Sequence, residues 1–202
     1  MHARRVGQHA LLVECADAAA VAAAYADLLG LAGELGAVDV VPAARTVLLD
    51  GLPDLDAAEA LLRHRSTPPS VAAATDAPLV EVPVSYDGPD LDEVARQWQV
   101  GRDEVARIHQ DTEFVVAFCG FAPGFAYCTG LPASLPVRRR TEPRTRVPAG
   151  SVALAGEFTS VYPSDSPGGW QLIGRTGVPV WRPESDPPAL LAPGTRVRFV
   201  DA

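Results

Sequence analysis

The chain contains no lysine, so its 17 basic residues are all arginine, against 25 acidic ones and a formal net charge of −8. That balance argues against a nucleic acid or an anionic membrane as partner, since both demand clustered cations. Cysteine is sparse: Cys15, Cys119 and Cys128 form an odd, widely spaced set. Such a set fits neither a disulfide framework nor a zinc spacing, so reduced thiols in apolar surroundings and no bound metal are expected. No apolar run approaches the roughly 20 residues of a membrane span. The start, His2-Ala3-Arg4-Arg5 into Val6-Gly7, lacks the apolar core of a signal peptide, and a cytoplasmic location is expected. P-loop, GxSxG and HExxH patterns are also missing, which excludes a self-contained ATP site and an evident nucleophile.

What is present is an ordinary globular balance over 202 residues, 48% hydrophobic and 21% charged, enough for one large domain or two small ones. The first part alternates. Ala10–Glu14 reads as a strand, and Asp17 caps a helix carrying Val21, Ala24, Tyr25, Leu28 and Leu29, with Gly30 as its stop. Val38–Val41 and Thr46–Leu49 read as strands around Pro42-Ala43-Ala44-Arg45, and Asp54 opens a second helix. This β-α-β-β-α order suits a small split βαβ, ferredoxin-like sheet over residues 1–75. Residues 66–78, rich in Pro, Ser, Thr and Ala, read as a linker.

The remainder, 76–202, opens with a strand at Leu79–Tyr86 whose Pro83 suggests an edge or a bulge. Asp90 and Glu93 form a capping-box pattern ahead of a helix with Leu91, Val94, Ala95 and Trp98 inward. A helix from Arg102 to His109 follows. Short β runs then alternate with Gly/Pro turns (Phe114–Cys119, Ser151–Ala155, Gln171–Ile173, Val178–Trp181, Arg196–Val200), which reads as a barrel or sandwich.

Three blocks could carry chemistry. Phe118 to Tyr127 crowds aromatics around a Pro123-Gly124 turn expected to hold Gly124 at positive φ; Phe121 and Phe125 would wall a cavity, or simply close the barrel. In Glu142 to Ser151, Arg144 and Arg146 share a face if extended, which suits a carboxylate, phosphate or bicarbonate, or else a solvated edge strand. The run Arg138-Arg139-Arg140 nearby reads as a solvated loop. In Tyr162 to Thr176, Gly168 and Gly169 let backbone approach a ligand, and Trp170, Gln171 and Arg175 add a ring, an amide and a cation, or alternatively a tight hairpin. His109 reads as a general acid or base, or as an imidazole favoured at a helix C-terminus.

The blocks Gly120–Tyr127, Pro143–Val152 and Tyr162–Thr176 together resemble the allophanate hydrolase subunit 1 family, which includes the B component of 5-oxoprolinase and the kinase inhibitor KipI. The resemblance implies an α+β chain, with a small N-terminal α+β domain and a cyclophilin-like β-barrel. It implies a component of an ATP-dependent complex opening 5-oxo-L-proline to L-glutamate, with ATP bound by the complex. Its partners would be a subunit 2 carboxyltransferase-like protein (the C component) and a third 5-oxoprolinase subunit. The residues it points to are His109, Arg144 and Arg146 for catalysis, and Phe121, Pro123, Gly124, Phe125, Ser151, Gly168, Gly169, Trp170, Gln171 and Arg175 for binding. The alternative it carries is a regulator docking on a sensor histidine kinase.

Overall fold

The computed structural model describes residues 2–63, 65 and 79–202; the expected linker at 66–78 lies outside them. The chain forms two compact units, 1–75 and 76–202.

In the first unit, β1 (His2–Val6), β2 (Ala10–Glu14), α1 (Ala18–Leu35), β3 (Asp39–Pro42), β4 (Thr46–Asp50) and α2 (Leu55–Arg63) follow one another. The sheet order is β1-β2-β4-β3, every neighbouring pair antiparallel. β4 therefore lies between the parallel β2 and β3, a split βαβ arrangement. The strand β1 has no counterpart in the sequence pattern. Its burial is slight on both faces, so it shows no apolar alternation to read. Where a βαββαβ order would place a last strand after α2, the strand beside β2 here comes from the N-terminal side.

Asp17 caps α1 as expected, its Oδ1 accepting from the Ala20 N–H at 2.8 Å. Gly30 does not stop the helix, which runs on to Leu35 and ends at Gly36 with φ 66°. The extra turn packs Ala32 and Leu35 against the unit's core. That burial outweighs the roughly 1 kcal/mol that a helical glycine costs. α1 also corrects the expectation about apolar runs: an 18-residue window has mean hydropathy 1.4, long and apolar enough to cross a membrane by length and composition. Small alanines supply much of that hydropathy, and Val21, Ala24 and Leu28 are buried in the unit's core.

The second unit holds β5 (Leu79–Val84), α3 (Leu91–Trp98), α4 (Arg102–Asp111), β6 (Glu113–Cys119), β7 (Ala126–Thr129), β8 (Arg144–Val147), β9 (Ser151–Ala155), β10 (Phe158–Val161), β11 (Ser166–Gly168), β12 (Gln171–Arg175) and β13 (Arg196–Asp201). Seven strands form one sheet in the order β12-β9-β10-β7-β6-β13-β5, while β11 and β8 make a separate two-stranded ribbon. The sheet nearly closes on itself: Ser85, just past β5, exchanges backbone hydrogen bonds of 2.9 and 3.0 Å with Arg175 at the end of β12. Pro83 sits on β5, which pairs within the sheet only with β13, so its missing N–H breaks no central ladder. The architecture is thus mixed α+β with a nearly closed, barrel-like sheet.

Both faces of this sheet are covered. One core gathers Val82, Phe114, Val116, Val152, Leu154, Ile173 and Phe199 with Leu91, Val94 and Trp98 of α3. The other gathers Phe125, Val147, Ala153, Ala155, Tyr162, Trp170 and Leu172. β9, buried at all its positions, alternates between them, as strand pleating requires. Val178–Trp181 is not a strand: Pro179 interrupts it, and Trp181 makes only an isolated bridge to Ala189. The capping box at α3 does not form either. Asp90 makes no side-chain bond to its own helix, and Glu93 instead holds Gln97 Nε2 at 2.7 Å and Arg96.

Candidate active site

The Gly120–Phe125 turn is two tight turns in succession. Ala122 N–H donates to Gly120 C=O at 2.8 Å across Phe121, whose φ is 69°. Phe125 N–H donates to Ala122 C=O at 3.0 Å across Pro123-Gly124, with Gly124 at φ 81° as expected. The first is a γ-turn of the strained, positive-φ kind, and the second has type II character. A bulky side chain at positive φ stores about 1–3 kcal/mol. The result is that Phe121 projects outward, 60% exposed, while Phe125 is buried beneath it.

This turn walls a cavity of about 470 Å³ lined by Cys119, Gly120, Phe121, Ala122, Pro123, Gly124, Trp181 and Ala189. A Cβ built at Gly124 would lie 2.6 Å from that of Trp181, so only glycine admits the indole there. Below the turn the rings interlock edge to face: Phe125 against Tyr162 at 5.1 Å and Trp170 at 5.3 Å, and Tyr127 against Trp170 at 5.5 Å. A register shift in β6 between Val116 and Phe118 matters here. Phe114 and Val116 face the first core, and the bulge turns Phe118 to the opposite face, stacked on Tyr127 at 4.3 Å.

Arg144 and Arg146 leave β8 for different carboxylates. Arg144 Nη2 donates to Asp90 Oδ1 at 2.8 Å, and Arg146 Nε to Asp165 Oδ2 at 2.8 Å. The guanidinium beside Arg144 belongs to Arg140, which donates to the same Asp90 oxygen at 3.0 Å. Asp165 also accepts the Ala149 N–H; that bond, then Arg146, holds its carboxyl below the usual range. Gly168 pairs with Arg144 across the ribbon. Gln171 is buried, and its Nε2 donates to Arg138 C=O at 3.0 Å.

A family model for the carboxyltransferase domain, subdomain C and D, matches residues 1–191. The chain belongs to this family. A 5-oxoprolinase B component from Bacillus subtilis is 48% identical to this carboxyltransferase-family chain over 125 residues, 60% of this chain and 52% of that protein. The chain thus spans about half the length of that relative. A 5-oxoprolinase B component from Escherichia coli is 46% identical over 149 residues, 72% of this chain and 67% of that protein. The crystal structure of a conserved uncharacterized protein from Pyrococcus horikoshii superposes with a TM-score of 0.60 at 32% identity, covering 100% of this chain and 97% of that one.

Within this carboxyltransferase-family chain, His109 stands apart from the blocks it was expected to join. It lies in the first core, fully buried, its ring 4.4 Å from that of Phe199 and 5.0 Å from that of Phe114. Thr159 donates to Ala153 C=O at 3.3 Å, so its Oγ1 accepts the Nε2–H of His109 at 2.8 Å, and Nδ1 accepts the Tyr86 hydroxyl at 2.8 Å. Both nitrogens are thereby engaged. Burial pushes the imidazole pKa down to about 3, so the ring is neutral. Ser151 turns inward on its own loop, its Oγ donating to Pro148 C=O at 2.7 Å. Arg175 is tied to Asp87 at the surface, 2.8 Å away. A second cavity of about 230 Å³ lies beside them, between Gly150, Tyr162 and Thr176.

The structure therefore joins Phe121, Pro123 and Gly124 at the larger cavity, and packs Phe125 with Trp170 beneath it. Residues the sequence reading passes over are Asp90, Arg140 and Trp181. Asp90 reads as a helix cap and Arg140 as one of a solvated run. A buried acid opening an amphipathic helix, with no lysine in the chain to satisfy it, is the available signal.

Proposed function

We propose that this chain is the B-type component of a 5-oxoprolinase complex, an ATP-dependent cyclic amide hydrolase that opens 5-oxo-L-proline to L-glutamate, and that it is inactive alone. The observation that carries the reading is the 46% and 48% identity to proteins named as the B component of 5-oxoprolinase. Its partners are a subunit 2 carboxyltransferase-like protein (the C component) and a third subunit, and the complex works in the cytoplasm. The first unit is read as a relative of the ferredoxin-like sheet and the second as a cyclophilin-like barrel.

In this reading Phe121, Pro123, Gly124, Phe125 and Trp170 wall the substrate side, with Gly168, Gly169, Gln171 and Ser151 shaping the backbone around it. Arg144 holds the anionic charge that develops on opening an amide. Arg146 and Arg175 flank the site, and His109 serves by fixing Thr159 and hence β10. ATP does not fit these residues on their own: Arg146 and Arg175 are each held by a carboxylate, and the sequence offers no phosphate loop. ATP thus belongs to the assembled complex, and no step of this chain's own is routed through it. Purified chain, mixed with its partner subunits, 5-oxoproline and ATP, is expected to release glutamate and ADP. Release of neither by the reconstituted complex rejects the assignment. Arg144→Ala should cut turnover while leaving the fold intact.

A further inference from the structure

Two guanidiniums share one carboxylate, a third lies over Trp170, and their charges do not balance. Asp90 is 5% exposed, and its Oδ1 accepts from Arg140 Nη1 at 3.0 Å and from Arg144 Nη2 at 2.8 Å. Its Oδ2 takes the Leu172 N–H at 2.7 Å. The carboxylate is thus fully engaged and neutralises one of two cations. Arg139 adds a third, its guanidinium 5.8 Å from the Trp170 ring centroid, a face that restricts its freedom. One donor is left over: Arg144 Nη1 is shielded from solvent and has no hydrogen-bond partner among the described residues. An orphaned, charged donor is costly. Pinning α3 to β8 needs a single arginine, whereas this cluster holds three.

The surroundings match. Tyr162 lies in the field of Arg139 and Arg144, and Tyr127 in that of Arg139; in both phenols burial raises the pKa while these cations pull it down. A Cβ at Gly168 would come within 2.3 Å of the Tyr162 hydroxyl, so the ribbon backbone and that phenol meet with no side chain between them.

We propose that Arg139, Arg140 and Arg144 form a binding site for a single oxyanion, carboxylate or phosphate, and that Asp90 is the positioning residue that aims Arg140 and Arg144 at it. This rests on the reading above and deepens it. A carboxylate is carried by 5-oxoproline and a phosphate is released by ATP hydrolysis, and both suit paired guanidinium N–H groups. The arrangement places Asp90 behind the arginines rather than against the ligand. Removing its charge frees both side chains to wander without removing either cation.

The test uses the full chain with arginine side chains labelled for NMR, titrated separately with inorganic phosphate and with 5-oxo-L-proline. Saturable shifts of the Arg140 and Arg144 guanidinium signals are expected, and the anion that saturates at the lower concentration identifies the source. Arg144→Lys and Asp90→Asn should each raise the half-saturating concentration about tenfold. A melting curve shows that both variants fold; asparagine can still accept the Leu172 N–H. Should Asp90→Asn fail to fold, Arg140→Gln on a more exposed side chain still tests the site, because it removes one of its cations and should raise the half-saturating concentration. The absence of a saturable shift with either anion, or saturation unchanged by Arg144→Lys, overturns the site. In the reconstituted complex Asp90→Asn should raise KM for 5-oxoproline more than it lowers kcat, and an unchanged KM overturns the positioning role. A complex that releases no glutamate, built from a chain that still binds the anion, removes the 5-oxoprolinase reading and leaves this site standing.

Discussion

On one face of the seven-stranded sheet a histidine sits sealed between Phe114 and Phe199, every polar atom matched; on the other, rings crowd under a turn that holds Phe121 60% exposed at positive φ. The same strands build both. Around His109 both ring nitrogens are engaged, and the chain of hydrogen bonds from Tyr86 to Ala153 fixes one arrangement. The opposite face concentrates the strained turn, the larger cavity and a surplus of guanidinium. Strain and unbalanced charge persist only where the surrounding fold holds them in place, and they accumulate where a protein meets a ligand. The difference separates a histidine that is sealed into the barrel from a turn that holds Phe121 outward above buried rings and a shared arginine cluster.

The contrast is sharpest in truncations. Phe199→Ala, fully buried in the first core, should cost about 3–5 kcal/mol in urea unfolding. Phe121→Ala should cost well under half of that, because much of the ring is already in water. Equal costs would erase the distinction between the faces.

A pH series tests the sealed histidine. Below the ordinary imidazole value of 6.5 the unfolded chain takes up a proton that folded His109 refuses until about pH 3. Its contribution is therefore intact above 6.5 and is lost as pH falls through that window, at up to about 1.4 kcal/mol per pH unit. Denaturant titrations from pH 7 to 4 should show this slope in the wild type. The slope should drop by about one proton in His109→Gln. An unchanged slope means that the ring is protonated in the folded state.

Relief of strain gives the next effect. Phe121→Gly should raise unfolding stability by about 1 kcal/mol, the strain released less the entropy of the added glycine. In the 5-oxoprolinase complex proposed above, the same change should weaken turnover. A loss of stability would show that the ring's packing outweighs its backbone strain.

The smallest effect is expected at Arg146→Gln. The side chain is exposed and its carboxylate keeps the Ala149 N–H, so the melting temperature should stay within about 2 °C of wild type. A larger drop would bring Arg146 into the same class as Arg144.

Much of this is legible along the chain. Helix α1 begins at Asp17 because a short acid accepts the Ala20 N–H there, and α3 shows its inward face as Leu91, Val94, Ala95 and Trp98. Pro123-Gly124 announces its own turn geometry. Other features are not legible, each for a local reason. β1 has no alternation, and Gly30 carries a stop signal that the packing of Leu35 overrides. Asp90 displays a cap motif whose side chain is drawn away by two arginines about fifty residues later in the chain.

By itself the sequence determined the element order of the second unit's helices, the tight turns at glycine and proline, and the three blocks that mark the family, because these rest on local stereochemistry and on residue identity. Only the tertiary structure decided which blocks meet. A bulge in β6 sends Phe118 to the face opposite Phe114, and pleating sends His109's partner Thr159 away from Trp170. Asp90 gathers Arg140 and Arg144 and leaves Arg146 to Asp165. Faces of a sheet and shared counterions depend on contacts between residues far apart in the chain, and no spacing along the chain records them.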